Sequence, residues 1–302
     1  MATQPWVEEG RLGVEPQAAP PPGRLSDVLY QLRGNPATIA GGVIIAIVVI
    51  AAIVTPEVPP YGPYKIDLDH IAQGPSWSHP FGTDQFGHDV FTRVLVAARL
   101  DLIIALSAVA FSMSIGVLLG AVAGFLGRWA DEAIMRTQDV LQAFPRFVFA
   151  MAVAWAMGAG VFTVIVATAA INVPGYARLQ RNLMLTAKES EYALAAVAVG
   201  NPRFRLLWRH LLPNTLVPII VVSTLQCGWA LLEAAGLSFI GLGVRVPRAE
   251  WGVMISMGLQ NFLQGSWWTY TFPGLAIAFT VLGFNLLGDG LQDILDPRRR
   301  RA

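Results

Sequence analysis

The residues with the most chemical potential lie close together between positions 67 and 89: Asp67, Asp69, His70, His79, Asp84, His88 and Asp89. Imidazole and carboxylate groups together are a ligand set for zinc or nickel. His70, His79 and His88 are nine residues apart, however, and no HxxxH or HExxH spacing puts two ligands on one helix face. Gly82-Thr-Asp84 and Gly87-His-Asp89 read instead as turns that shape a rigid lip. No metal site is expected, while the length of this loop and its turn-forming Gly-Asp pairs make Asp84, His88 and Asp89 candidate contacts for another protein. Nucleophilic catalysis has no better basis, since four histidines and the single Cys227 supply no Ser-His-Asp or Cys-His set. A phosphate cradle needs G-x4-G-K-[ST]. The only lysines, Lys65 and Lys188, follow Tyr64 and Ala187, so neither completes it. The chain is expected to be no enzyme and to hold no cofactor of its own.

The elements that position these residues are set by composition. Of 302 residues, 54% are hydrophobic and 14% charged, against roughly 25% charged in a soluble domain. Uncharged runs cover 34–56, 102–127, 147–177, 210–232 and 251–288. Each exceeds the roughly 18–20 residues needed to cross a bilayer. An all-α, polytopic membrane protein follows. The net charge of +1 excludes the broad basic field of a nucleic-acid binder, leaving lipid and protein partners. Residues 1–33 are polar and Pro-rich without an apolar core, so no cleavable signal is expected and the first span acts as an anchor.

The run 147–177 decides the span count. Two spans broken at Gly158-Ala-Gly160, the first extended back across Pro145 through 140–144, give six transmembrane helices and cytoplasmic termini. Sixteen basic residues then lie inside and five outside, out of 21 in all. A single span would put the six cations at 178–209 outside, against the positive-inside bias. The spans are expected near 37–55, 101–125, 138–157, 161–177, 214–236 and 270–288. Trp251, Trp267 and Trp268 suit an outer aromatic belt, and 25–32 suits a short surface helix at the inner leaflet. The expected organisation is a leader over 1–36, a first span and outer loop over 37–98, a five-span core over 99–290, and a basic tail over 291–302.

The cytoplasmic connector EYALAAVAVGNPRFRLLWRHLLPN, 191–214, is a charged island between apolar spans. Its first piece is rich in alanine, which lets another protein approach the backbone closely. Gly200 is expected to end that helix in a left-handed conformation, with Asn201-Pro202 as a turn. The second piece places Phe204, Leu207, Trp208 and Leu211 on one helical face and Arg203, Arg205 and Arg209 on the other. Pro213 falls where a following helix would begin.

This layout resembles the coupling loop of ABC-transporter permeases, E-A-A-x3-G-x9-I-x-L-P. Ala195, Ala196, Gly200, Leu212 and Pro213 match it, Leu194 and His210 replace the Glu and Ile, and Glu191 stands nearby. The strings HPFGTDQFGHDVFTRVLVAARLDL (79–102), GLSFIGLG (236–243) and GDGLQDILDPR (288–298) are similar to the second permease of dipeptide/oligopeptide importers, which nickel importers also resemble. The resemblance implies a type I ABC importer permease fold in a prokaryotic cell membrane. It further implies a heterodimer with a second permease, two cytoplasmic ATP-binding subunits carrying ATP and Mg, and an extracellular or periplasmic solute-binding protein. Glu191, Ala195, Ala196, Gly200, Arg203, His210, Leu212 and Pro213 are then expected to couple to the ATPases. Glu233, a carboxylate inside an apolar run, is expected in the pathway or gate, with Gln226 and Asn285 as polar candidates beside it. A charge at mid-bilayer costs roughly 2.5–3.5 kcal/mol and needs a partner or water. Asn172 is expected to bond between helices, and the stripe Ser112, Gly116, Gly120, Gly124 to let two helices approach closely.

Overall fold

The computed structural model describes residues 35–54 and 61–295, and it is helical apart from loops and one isolated bridge, Thr83–Asp89. Residues 1–34 of the leader, with the surface helix expected at 25–32, and residues 296–302 of the basic tail lie outside the described residues. In chain order, α1 is Pro36–Val54, α2 Val90–Leu126, α3 Arg128–Gln142, α4 Arg146–Met157 and α5 Val161–Lys188. A short α6, Glu191–Ala198, follows, then α7 over Arg203–Phe239, α8 over Trp251–Leu259 and α9 over Trp268–Leu295. Five helices are long and apolar enough to cross a membrane, and α3 with α4 makes a sixth as a bent pair.

The bend corrects one sequence expectation. Residues 138–157 do not run as one helix across Pro145; the chain turns by 91° between Gln142 and Arg146. Proline disfavours a helical residue before it and lacks the amide that would continue the ladder. The polar α3 is held on α5 by ion pairs, Asp131 to Arg181 at 2.5 Å and Asp139 to Arg178 at 2.8 Å. The apolar α4 has twelve residues, about 18 Å, which is shorter than the hydrocarbon core. The break at 158–160 is where the sequence places it, with Gly158 at φ 78°.

The heart of the molecule is α2 against α5. Ser112, Gly116, Gly120 and Gly124 are buried along one stripe of α2. A side chain at Gly120 would overlap the Ala177 carbonyl and the backbone of Arg181. Small residues thus set how near two spans approach where lipid gives no hydrophobic drive between helices. Outward, Ile47, Ile53, Ile103, Phe111 and Phe279 stay exposed, as a lipid-facing surface requires. α9 and α1 pair at one edge, and α7 lies between α2 and α9.

Of the three tryptophans assigned to an outer belt, only Trp267 fits without qualification, half exposed at the start of α9. Trp251 is 2% exposed and its Nε1 donates to the Val94 carbonyl at 2.9 Å. Trp268 donates to the Thr83 carbonyl at 3.0 Å, tying the outer loop to α9.

Candidate functional site

Three places on the molecule gather the residues of interest, one at each end and one in the apolar interior. At the inner end, α6 closes in a Schellman motif. Gly200 takes φ 81°, its amide donates to the Val197 carbonyl at 2.9 Å, and the Asn201 amide reaches the Ala196 carbonyl at 3.1 Å. The Asn201 side chain adds a second bond to that carbonyl at 3.0 Å. Glu191 sits in the first turn, where a carboxylate favours the helix dipole.

Burial divides the alanines differently from their reading as one docking surface. Ala193 and Ala196 are buried in the chain's own core, and Ala195 faces out. Ala196 is therefore an internal packing residue. The outward face carries Tyr192, Leu194, Val197 and Val199, the last 82% exposed.

The segment after Pro202 also departs from its expected amphipathic face. Residues Leu206–Leu211 form a π turn, whose bonds span five residues rather than four. Leu206 and Leu211, five apart, thus point inward with Leu207, while Phe204 and Trp208 are left exposed and tilted together at 6.0 Å. Pro213 opens the α-helical part of α7 with no intervening turn, because the π turn leads straight into it. Leu212 is buried there, His210 is partly exposed and Arg203 is exposed.

In the apolar interior, Glu233 has partners that sequence reasoning missed. Arg146 Nη2 donates to Glu233 Oε1 at 2.8 Å and also to Asn172 Oδ1 at 2.8 Å. Asn172 Nδ2 donates to Glu233 Oε2 at 2.8 Å and to the Thr168 carbonyl. Arg146, counted with the cytoplasmic cations, instead meets residues of two apolar spans from the first position of α4, just after the Pro145 bend. The only sequence signal was a cation directly after that proline. Arg146, Glu233 and Gln226 line an open cavity of about 450 Å³ together with Phe147, Trp229 and Leu232. Asn285 is half-buried on α9, outside this lining.

At the outer end, the loop is organised by its two glycine turns, Gly82 at φ 71° and Gly87 at φ 80°. Asp84 Oδ1 accepts the amides of Phe86 and His88, each at 2.9 Å, and Oδ2 accepts from His88 Nδ1 at 2.9 Å. Burial pushes the Asp84 carboxyl up, but the His88 ring and these amides outweigh it and hold the group below the usual carboxylate range. Asp89 is buried, not presented to a partner. It caps α2 through the Thr92 amide at 2.8 Å and accepts a hydrogen bond from His79 Nδ1 at 2.9 Å. At the rim of the loop, Trp77 stands fully exposed between Pro75 and Pro80. Behind the loop, Glu250 caps α8 through Gly252 and Val253 and is buried against Asp101. Burial raises the Glu250 carboxyl above its ordinary value. Nothing in the local sequence pairs these two acids, 149 positions apart.

Comparison with known proteins matches these features to one class. A family model described as binding-protein-dependent transport system inner membrane component covers residues 116–301. A second, the N-terminal TM domain of oligopeptide transport permease C, covers residues 23–75. The chain is 41% identical over 292 residues to the dipeptide transport system permease protein DppC of Alkalihalophilus pseudofirmus, spanning 95% of this chain and 96% of that one. It is 41% identical over 271 residues to the probable D,D-dipeptide transport system permease protein DdpC of Escherichia coli, spanning 90% and 91%. With DppC of Bacillus subtilis the identity is 39% over 275 residues, spanning 91% and 86%. With its apolar helices and inner-end loop already in place, the chain belongs to the binding-protein-dependent transport-system permeases, multi-pass components of the inner membrane.

Proposed function

We propose that this chain is one of two permease subunits of an ATP-driven importer of di- or oligopeptides. It forms half of the translocation pathway with a second permease. Two cytoplasmic ATP-binding subunits, which carry ATP and Mg, dock on 191–213, and a solute-binding protein delivers cargo at the outer loop. The ATP is hydrolysed by those subunits, since neither lysine of this chain completes a P-loop motif. The observation that carries the reading is the outward face of α6. Leu194, Val197 and Val199 lie exposed on a capped helix between the apolar spans α5 and α7, and an exposed apolar patch marks a protein contact.

In mechanism, closure of the ATPase subunits moves α6, and the continuous α7 carries that movement to the cavity at Glu233. The Arg146–Glu233 pair supports a pathway role. Its carboxylate is only 13% exposed while its guanidinium is 59% exposed, so the pair offers a peptide both signs of charge from one wall. The nickel-chelate and glutathione-type importers are the other cargo classes that fit a permease of this kind. The test is Val197→Glu and Val199→Glu, which alter exposed positions and leave the buried Ala193 and Ala196 untouched. ATP-dependent uptake of radiolabelled dipeptide should fall while membrane abundance stays normal and ATPase subunits no longer co-purify. Undiminished uptake would remove α6 from the coupling role. Uptake of nickel or glutathione but not peptide would overturn the cargo.

A further inference from the structure

Asp67, His70 and His79 come together in the outer loop, each offering a ligand atom within 4.8 Å of the other two. Asp67 Oδ2 lies 2.9 Å from His70 Nδ1 and 3.8 Å from His79 Nε2. In a tetrahedral zinc site with bonds of about 2.05 Å, donor atoms sit about 3.3 Å apart. The observed spacings bracket that value.

The more telling atom is His79 Nε2. The residue is 1% exposed, and among the described residues this nitrogen has no hydrogen-bond partner although it lies 3.8 Å from Asp67 Oδ2. Its other nitrogen is committed, since Nδ1 donates to Asp89 Oδ1 at 2.9 Å. Asp89 is itself fixed, with Oδ2 accepting from the Thr92 amide at 2.8 Å and the Thr92 hydroxyl at 2.7 Å. A carboxylate holding the Nδ1 proton sets the tautomer, so Nε2 presents a lone pair. That chain of carboxylate, imidazole and outward lone pair is how metal-binding histidines are oriented in general. Buried nitrogens otherwise find a partner, and here the neighbouring acceptor Asp67 cannot donate to a lone pair.

The loop holds the three residues in place independently of any ion. The Asp67 amide donates to the Gly87 carbonyl at 3.0 Å, the Thr83 hydroxyl donates to the His70 carbonyl, and Tyr61 stacks on the His79 ring at 4.7 Å. Asp67 and His70 remain partly exposed, 27% and 41% at their side chains, which leaves an entry path from the outer side.

We propose that Asp67, His70 and His79 bind one divalent transition cation of the zinc class at the outer surface. Asp89 acts as the orienting carboxylate, and a water completes the coordination. Two imidazoles and a carboxylate favour zinc, nickel or cobalt over the all-oxygen sites of calcium and magnesium. The cation ties Asp67 and His70 to His79, which Asp89 already holds at the N-terminus of α2, a role that stands whatever the cargo of the transporter.

The test uses the full-length chain in its assembled transporter, purified without a histidine tag, stripped with chelator and dialysed. Zinc is titrated by calorimetry, and cobalt is followed by the visible absorption of a four-coordinate site. The expected result is one more zinc per transporter than the Asp67→Asn/His70→Asn double variant binds, with a four-coordinate cobalt spectrum lost in that variant. Both substitutions are at partly exposed positions, Asp67→Asn keeps the side-chain shape and His70→Asn only shortens it, so the assembled complex should survive. Asp89→Gln is expected to weaken zinc about tenfold or more through His79. Equal zinc stoichiometry in wild type and double variant would overturn the proposal, as would wild-type cobalt spectra showing only six-coordinate, solvent-like metal. Zinc protection of the 67–79 segment from protease in wild type, absent in the double variant, would support the staple.

Discussion

Substituting Gly200 tests the coupling reading through the backbone alone. The residue has φ 81°, and nothing lies within 4 Å of where a Cβ would stand. A side chain there meets no crowding, so the whole cost is conformational. A β-branched residue held in a left-handed conformation costs of order 1–3 kcal/mol. At 1.4 kcal/mol per factor of ten, the capped loop would be about 5- to 140-fold less populated. An eight-residue helix cannot offset this by itself, so α6 would fray from its Schellman end and lose both bonds to the Ala196 carbonyl. Asparagine visits the left-handed region readily, so activity should fall in the order Gly, Asn, Ala, Val. The assay is ATP-dependent peptide uptake by intact cells, read beside membrane abundance and co-purification of the ATPase subunits. Wild-type uptake by Gly200→Val would refute the reasoning. So would equal losses for Asn and Val, which would place the effect in a side-chain contact.

Other perturbations separate packing, pathway and docking. Gly120→Leu forces α2 from α5 at the Ala177 carbonyl, at about 1–3 kcal/mol or more, and should deplete the protein from membranes; Gly42→Leu, with open space around it, should not, and equal levels would refute the close approach. Arg146→Gln should lower thermal stability in detergent by about 1–3 kcal/mol by leaving Glu233 short of a partner, and adding Glu233→Gln should recover part of the loss; strictly additive losses would show that the pair is uncoupled. Trp77→Ala should weaken stimulation of ATPase activity by loaded binding protein and spare basal activity, with equal loss of both pointing to misfolding. In a Cys227→Ser background, cysteines at Ser78 and Arg245 should label from outside intact cells, and one at Val199 only after permeabilisation; outside labelling of Val199 would sink the six-span topology.

What was legible in the sequence was whatever depends on neighbours along the chain. Uncharged runs located the spans, the positive-inside bias ordered them, and Gly82, Gly87, Gly158 and Gly200 marked the left-handed turns they adopt. What escaped depends on residues far apart. Glu233 was visible as an expensive charge, but its partner Arg146 is 87 positions away and reaches it only because Pro145 breaks a helix that periodicity would continue. Asp89 looked like a surface acid because its burial comes from His79 and α2, not from its own neighbours. The histidines, read by their nine-residue spacing, showed no ligand pattern, since the fold of the loop and not that spacing sets His79 Nε2 3.8 Å from Asp67 Oδ2. Ala195 and Ala196 are adjacent in a motif yet face opposite ways, and a motif does not say which of its alanines the chain uses for itself.

The π turn at Leu206–Leu211 has a consequence for how this permease tolerates change in length. Such a turn holds one residue more than an α turn, and the surplus is absorbed within it rather than passed along α7. Removing a single residue between 206 and 211 lets that turn tighten to α geometry, and the phase between α6 and Glu233 is kept. The same deletion a few residues later, in the regular helix after Pro213, would rotate everything beyond it by about 100°. Glu233, some 33 Å further along the axis, would then face away from Arg146. The inner end of α7 thus works as a gauge with one spare tooth, and the interior as a gauge with none.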